Sequence, residues 1–338
     1  MISPRKPDPS HPPSSLVRWG VLGAAGIAVS KVIPAIQRSG LARVVAIASR
    51  EHAKARQAAD RLGIERAYGS YEELLADGDV DVVYNPLPNH LHVPWSVRAA
   101  EAGKHVLCEK PIALNAEEAR ELVRVRERTK VCIAEAFMVR AHPQWLKTRE
   151  LVRSGRIGEL RLITGHFSYF KTDPDNVRNR VEWGGGGLLD IGCYPVMLSR
   201  WLFDAEPARV VTLMERDPDL EVDRLTAGLL DFGKGHASFT VGTQLANAQG
   251  MQIFGTEGSI TLELPFNPPP EQRARIVVDA EIIEFDAVDQ FTLQADAFSR
   301  AVRGLGEVPM TLEDSVANMM VLDALFRSAA SGKWETLP

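Results

Sequence analysis

Three groups of residues have types and spacings suited to chemistry. The first is the loop Gly23-Ala24-Ala25-Gly26, continued by Ile27 and Ala28. It lies between an apolar burst at 17–22 and a run with Val32, Ile33 and Ile36 at helical spacing. The first N–H groups of such a helix lack partners inside it, and its aligned peptide dipoles favour an anion there. The loop therefore suits a pyrophosphate. The usual fingerprint is Gly-x-Gly-x-x-Gly or -Ala, whose second glycine admits the backbone close to the phosphates. Gly23 and Ala28 fit it, Ala25 replaces the second glycine, and Gly26 stands beside it. A tight strand-to-helix turn with no nucleotide would use the same residues.

The second group is Ser49-Arg50, at the end of the next apolar burst and about 20 residues beyond the loop. An NAD site usually places Asp or Glu there for the ribose 2′-OH, whereas a guanidinium grips a 2′-phosphate. The position favours NADP over NAD. The other reading is an exposed arginine that opens the next helix.

The third group is charged and aromatic. The segment N-P-L-P-N-H at 85–90 ends one short strand, because proline cannot continue a central strand. Glu109-Lys110 ends the next. Doubly wound sheets bind ligands outside the carboxyl ends of their strands, which brings Pro86, Leu87, Asn89, His90, Glu109 and Lys110 toward the same ligand. The histidines at 90 and 92 serve as caps or solvent contacts as readily as bases. Much later, Asp190 and Tyr194 stand four apart in the apolar run 188–203, a spacing that shares a helix face. Tyrosine has a pKa of about 10 and is a poor base near neutral pH, but a nearby ammonium favours tyrosinate. Taken singly, Tyr194 reads as a packed aromatic and Lys110 as a solvated cation.

The elements that must position these groups change in kind along the chain. Residues 1–15, rich in Pro, Ser and charge, read as a disordered leader. Residues 16–138 alternate strand and helix with the crossover length of a parallel sheet, the signature of a dinucleotide-binding Rossmann domain. Within them Gly63 is expected to end a helix, and Ser70 with Glu73 to open another as a capping box. Residues 139–338 read as an α+β domain. Strand-like runs from 160 to 262 with Gly-rich turns indicate a large, mainly antiparallel open sheet, closed by helices at 291–302 and 312–330.

The 338 residues suffice for two cores. A net charge of -5 gives no basic face for nucleic acid, and no apolar run reaches the ~20 residues of a membrane helix. Three cysteines without ligand spacing suggest structural thiols in a reducing compartment, hence a cytoplasmic protein, and no metal site is expected.

With these motifs in place, the chain after its leader resembles the Gfo/Idh/MocA family of pyridine-nucleotide oxidoreductases. The resemblance rests on W-G-V-L-G-A-A-G-I-A, N-P-L-P-N-H-L-H, A-G-K-H-V-L-C-E-K-P, E-A-F-M-V-R-A-H-P, G-G-G-L-L-D-I-G-C-Y-P and G-T-E-G-S-I. Tyr194 stands where inositol dehydrogenase-like relatives carry His. That is similar to the branch with NADP-dependent xylose dehydrogenase, dimeric dihydrodiol dehydrogenase and glucose–fructose oxidoreductase. The resemblance implies that Lys110 stands opposite Asp190 and Tyr194, with Tyr194 as acid/base, Lys110 as its electrostatic partner and Asp190 orienting substrate or dyad. It also implies hydride transfer between NADP and a small-molecule sugar or polyol-like hydroxyl, and a homodimer or larger oligomer paired through the open sheet. Arg140, Asn176 and Arg178 are candidates for binding substrate hydroxyls, or else surface and packing residues. The alternatives are a trans-dihydrodiol or carbonyl-reducing activity on the same scaffold, and a non-catalytic NADP(H)-binding sensor.

Overall fold

The computed structural model describes residues 16–337, so the leader expected at 1–15 lies outside the described residues. The chain forms two compact units. The first runs to Ile112 and includes Glu118–Ala141 and Asp289–Ser315; the second holds Ala113–Glu117, His142–Val288 and the stretch from Val316.

The first unit is built on β1 (Val17–Leu22), β2 (Ala42–Ala48), β3 (Arg66–Tyr68), β4 (Val82–Asn85), β5 (His105–Cys108) and β6 (Ile133–Glu135). They pair in parallel in the order β3-β2-β1-β4-β5-β6. Near-continuous apolar runs suit strands covered on both faces, and β1, β4 and β5 are buried along almost their whole length. Strand order reverses between β1 and β4, and ligands of such sheets lie beyond the carboxyl ends at that switch.

The local signals act as read. Gly63 ends α2 (His52–Leu62) in the left-handed conformation at φ +66°. Before α3 (Tyr71–Ala76), the Glu73 N–H donates to Ser70 Oγ at 3.2 Å while the Glu73 carboxylate accepts from the Gly69 N–H at 3.0 Å. The strand β3 was not anticipated, since three residues are too few to show a period. The helix α8 (Gln290–Val302) also packs in this unit, although the sequence reading places it beyond residue 139. Fully buried Trp19 of β1 meets Phe298 of α8 edge-on at 5.7 Å and donates its indole N–H to Ser299 Oγ at 3.3 Å.

The second unit carries a nine-stranded sheet. Its strands are β7 (Leu160–Phe170), β8 (Arg209–Arg216), β9 (Asp223–Asp231), β10 (His236–Gly242), β11 (Gln244–Gly255), β12 (Ser259–Leu262), β13 (Ala274–Val278), β14 (Glu281–Phe285) and the short β15 (Glu335–Thr336). Their order is β14-β13-β12-β11-β7-β10-β9-β8-β15. Every neighbouring pair is antiparallel except β7 and β10, which run parallel. Alternation sorts the faces: Leu230, Ala237, Phe239, Val241 and Ile253 are buried on one side. The helix α7 (Cys193–Phe203), buried along its entire length, packs in this unit, with Pro195 against Gly165 of β7. The opposite face is open, and Leu213 of β8 is 79% exposed there. The pair β13–β14 was missed because the run P-F-N-P-P-P precedes it and masks the alternation that follows.

Candidate functional site

In the first unit the Gly23 turn has φ +84°, and its N–H donates to the Ala48 carbonyl at 2.7 Å, closing the end of β1 onto β2. A Cβ at Gly23 would lie 3.0 Å from the Leu87 side chain, so only glycine fits there without displacing the β4 loop. Gly26, by contrast, faces open space. Ala25 and Ile27 are half-buried and Ala28 is buried. The helix after the loop opens as a π-helical turn, Ala28–Val32, in which the Ile33 N–H reaches back five residues to Ala28. It continues as α1 (Ile33–Gln37). Such turns are uncommon and are found often at functional sites.

Ser49 is buried at the end of β2, and its Oγ accepts from the Glu51 N–H at 3.3 Å. Arg50 is exposed, and the Tyr71 hydroxyl stands 3.7 Å from where a Gly23 Cβ would be. Burial raises the Tyr71 pKa and the Arg50 guanidinium opposes that rise. Tyr71, which sequence reasoning missed, therefore stands beside the phosphate-type loop, near enough to Arg50 to feel its charge. Trp95 packs edge-on against it at 4.7 Å.

The loops after β4 and β5 are braced together. Asn85 donates to the His92 carbonyl at 3.0 Å and to Ser96 Oγ at 3.1 Å. His92 is 1% exposed, with Nδ1 2.7 Å from the Pro111 carbonyl and Nε2 2.7 Å from the Leu87 carbonyl. Burial lowers its pKa to about 4, against the pull of the two carbonyls, so the ring acts as a strut and not as a neutral-pH base. The Glu109 carboxylate accepts from the Tyr84 hydroxyl at 2.6 Å and from the Lys110 N–H at 3.3 Å. Pro86 and Leu87 are buried; Asn89, His90, Glu109 and Lys110 are half-buried. Arg140, also in this unit, pairs with Asp314 at 2.9 Å.

In the second unit the expected helix at 188–203 begins as a π-helical turn, Leu188–Gly192, before α7. Asp190 lies in that turn. Its Oδ2 accepts from the Tyr169 hydroxyl at 2.7 Å and from Arg178 Nε at 2.8 Å. Burial first, and Asp190 second, raise the Tyr169 pKa, so Tyr169 stays protonated as a donor. Tyr194 is 4% exposed and packs against Phe167 at 6.0 Å and Phe266 at 5.5 Å. Phe167 and Tyr169 are two apart on β7 and share its face. Asp190 and Tyr194 are thus turned to the same side of one strand. Asn176 uses its side-chain oxygen to accept from the Arg178 N–H at 3.1 Å, which fixes the turn that presents Arg178. The signal for Tyr169 was available as a polar-tipped aromatic on the covered face of a strand, in phase with Ile163 and Phe167. No group of three or more His, Cys, Asp or Glu suited to a metal ion occurs among the described residues.

Residues 17–137 match the family described as Gfo/Idh/MocA oxidoreductases with an NAD-binding Rossmann fold, and residues 145–261 match a Gfo/Idh/MocA C-terminal domain. The chain is 49% identical to an uncharacterized oxidoreductase of Rhizobium meliloti, covering 95% of this chain and 99% of that one. It is 39% identical to a D-xylose 1-dehydrogenase (NADP(+)) of Haloferax volcanii over 93% of this chain and 98% of the relative. Among solved structures, a 3-ketoreductase from Actinomadura kijaniata in complex with NADP and TDP-benzene superposes with a TM-score of 0.85 at 32% identity. That match covers 93% of this chain and 98% of the other. The same ketoreductase has been solved with NADP and TDP-benzene as a tyrosine-to-phenylalanine variant and as a lysine-to-alanine variant.

Proposed function

Because the chain belongs to the Gfo/Idh/MocA oxidoreductases, we propose that it is an NADP-dependent dehydrogenase or reductase of a sugar or polyol-like substrate, an aldose first among them. The observation that carries this reading is the polar cluster Asp190–Tyr169–Arg178 on the face of β7 that also packs Tyr194. A hydroxylated substrate needs several fixed donors and acceptors beside the group that moves its proton, and this cluster supplies them. NADP is favoured over NAD by Arg50, which follows β2 at the position where a carboxylate would repel the 2′-phosphate.

In this reading the 16–138 segment holds NADP through Gly23, Ala25, Gly26, Ile27, Ala28, Ser49, Arg50 and the loops carrying Pro86, Leu87, Asn89, His90 and Glu109. The nicotinamide accepts or supplies the hydride. Tyr194 takes or gives the hydroxyl proton, and the Lys110 ammonium favours its tyrosinate form. Asp190 orients the substrate, assisted by Arg178 and Asn176, and Arg140 is a further candidate there. Buried thiols at Cys108 and Cys193 fit a reducing, cytoplasmic setting. No helix among the described residues is long and apolar enough to cross a membrane.

The same reading includes a homodimer. On the open sheet face Leu213 is surrounded by half-buried Val211, Ala227 and Leu229, an apolar surface that a second copy would cover. The direct test mixes the purified protein and NADP with D-xylose, D-glucose and a trans-dihydrodiol while nicotinamide absorbance is followed. Reduction with an aldose supports the proposal. Turnover of the dihydrodiol alone replaces the substrate assignment, and NADP binding without turnover of any alcohol or carbonyl leaves a sensor.

A further inference from the structure

One carboxylate outside the proposed reaction lies under the helix that carries two of its residues. Asp223, the first residue of β9, is 2% exposed. Its Oδ2 accepts from the Leu188 N–H at 2.6 Å and from the Thr226 hydroxyl at 2.9 Å. Its Oδ1 sits so close beneath Gly186 that a Cβ there would fall 2.0 Å away, and Gly186 has φ +110°. A Cβ at Gly187 would stand 3.3 Å from Oδ2. The glycine run at 184–187 thus closes over the carboxylate, which no side chain at Gly186 would permit.

Leu188 is the first residue of the π turn that holds Asp190 and runs directly into Tyr194 of α7. Asp223 caps that turn from another strand, where a negative charge meets the positive end of the helix. The charge is costly. Burial raises the Asp223 pKa to about 6, opposed by the Leu188 and Thr226 bonds and by Arg216 on β8. On β7, Tyr169 has its own pKa raised in part by Asp223. The cap needs only an oxygen that faces both donors, which a neutral amide of the same shape also offers.

We infer that Asp223 is a positioning residue: by holding the Leu188 N–H it fixes the start of the helix and so the stance of Asp190 and Tyr194. The inference rests on the reading of those two residues as reaction machinery. It is tested in the full chain with Asp223→Ala and Asp223→Asn, by amide hydrogen exchange over residues 186–194. A second readout is kcat with NADP and whichever of D-xylose and D-glucose the wild type turns over. Asp223→Ala should speed exchange in that segment at least roughly tenfold and lower kcat about tenfold, with NADP affinity unchanged. Asp223→Asn keeps an oxygen for both donors and should restore slow exchange and most of kcat.

Wild-type exchange in Asp223→Ala overturns the inference. Slow exchange with low kcat in Asp223→Asn overturns it in favour of a purely electrostatic role. Fast exchange with unchanged kcat also overturns the inference, because turnover then does not depend on the cap, while Tyr194→Phe separately tests the reading of that residue as reaction machinery. Should Asp223→Ala fail to fold, Thr226→Val removes one of the two donors, and unaltered exchange in that variant overturns the inference.

Discussion

The six-stranded sheet of the first unit and the nine-stranded sheet of the second present candidate residues in different ways. In the first, they come from backbone turns at strand ends: the Gly23 turn after β1, Ser49-Arg50 after β2, and the braced loops after β4 and β5. In the second, they are side chains laid against a strand face, Asp190 and Tyr194 beside Tyr169 and Phe167 of β7. Edge sites are set by main-chain geometry and suit a constant ligand with a phosphate backbone. Face sites are set by side-chain packing and suit a ligand that varies among relatives. Under the proposed function, the first unit would govern which cofactor is used and the second what is done with it.

The division breaks if changes in the second unit alter cofactor affinity as much as turnover. The largest effect is expected from Tyr194→Phe, which keeps the ring against Phe167 and Phe266 and removes the hydroxyl. Steady-state kinetics should show kcat down by roughly 10²–10⁴-fold with NADP affinity little changed. Near-normal kcat would leave Tyr194 as packing alone. Lys110→Met is the exception that sharpens the scheme, since a first-unit residue should there behave like a second-unit one. It should lower kcat, move the tyrosine limb of the pH profile upward because the ammonium that favours tyrosinate is gone, and add less than its own loss to Tyr194→Phe.

Arg50→Asp should act on the cofactor alone. Loss of a charge-assisted grip on the 2′-phosphate, about 1.5–3 kcal/mol, corresponds to roughly 10–100-fold weaker NADP binding, with NAD affected far less. A wild type that already prefers NAD in kcat/KM would contradict this assignment. Tyr169→Phe removes one donor from Asp190 while Arg178 remains, so about a three- to tenfold fall in kcat/KM for substrate is expected, with unchanged cofactor Kd by titration. Smallest in catalysis is Leu213→Lys on the open face. Light scattering should show a dimer for the wild type at micromolar concentration and a shift toward monomer for the variant, whereas a monomeric wild type would refute pairing.

The two regions also differed in how much of them could be read in advance. The parallel sheet was legible because buried strands give continuous apolar runs, and because Gly63, Ser70 and Glu73 encode helix ends in a few adjacent residues. Only β3 escaped, being shorter than any period. In the second sheet the strands at the centre were legible by alternation, yet the parallel pairing of β7 with β10 was not, since pairing direction leaves no mark on a single strand. Proline-rich residues hid β13 and β14. Of the candidate site, Asp190 and Tyr194 were singled out together by spacing and family pattern, whereas the bond from Arg178 to Asp190 was not anticipated. Tyr169, Tyr71 and Asp223 were missed, since each is defined by a neighbour brought up across the fold: Tyr71 beside the Gly23 turn, Tyr169 with Asp190, Asp223 with Leu188. Trp19 and Phe298, some 280 positions apart along the chain, show the same limit in the core.

The π-helical turns at Ala28–Val32 and Leu188–Gly192 have a consequence for insertion and deletion. Such a turn stores one residue more than an α-helical turn without diverting the helix beyond it. Removing Gly192 would let the turn contract to ordinary helical pitch while Cys193–Phe203 kept its place. Asp190 would then stand three residues ahead of Tyr194 in place of four, and its angle about the helix axis relative to Tyr194 would change. Every side chain would survive in kind, and the pair would no longer look the same way. In this stretch the count of residues carries information that their identities do not.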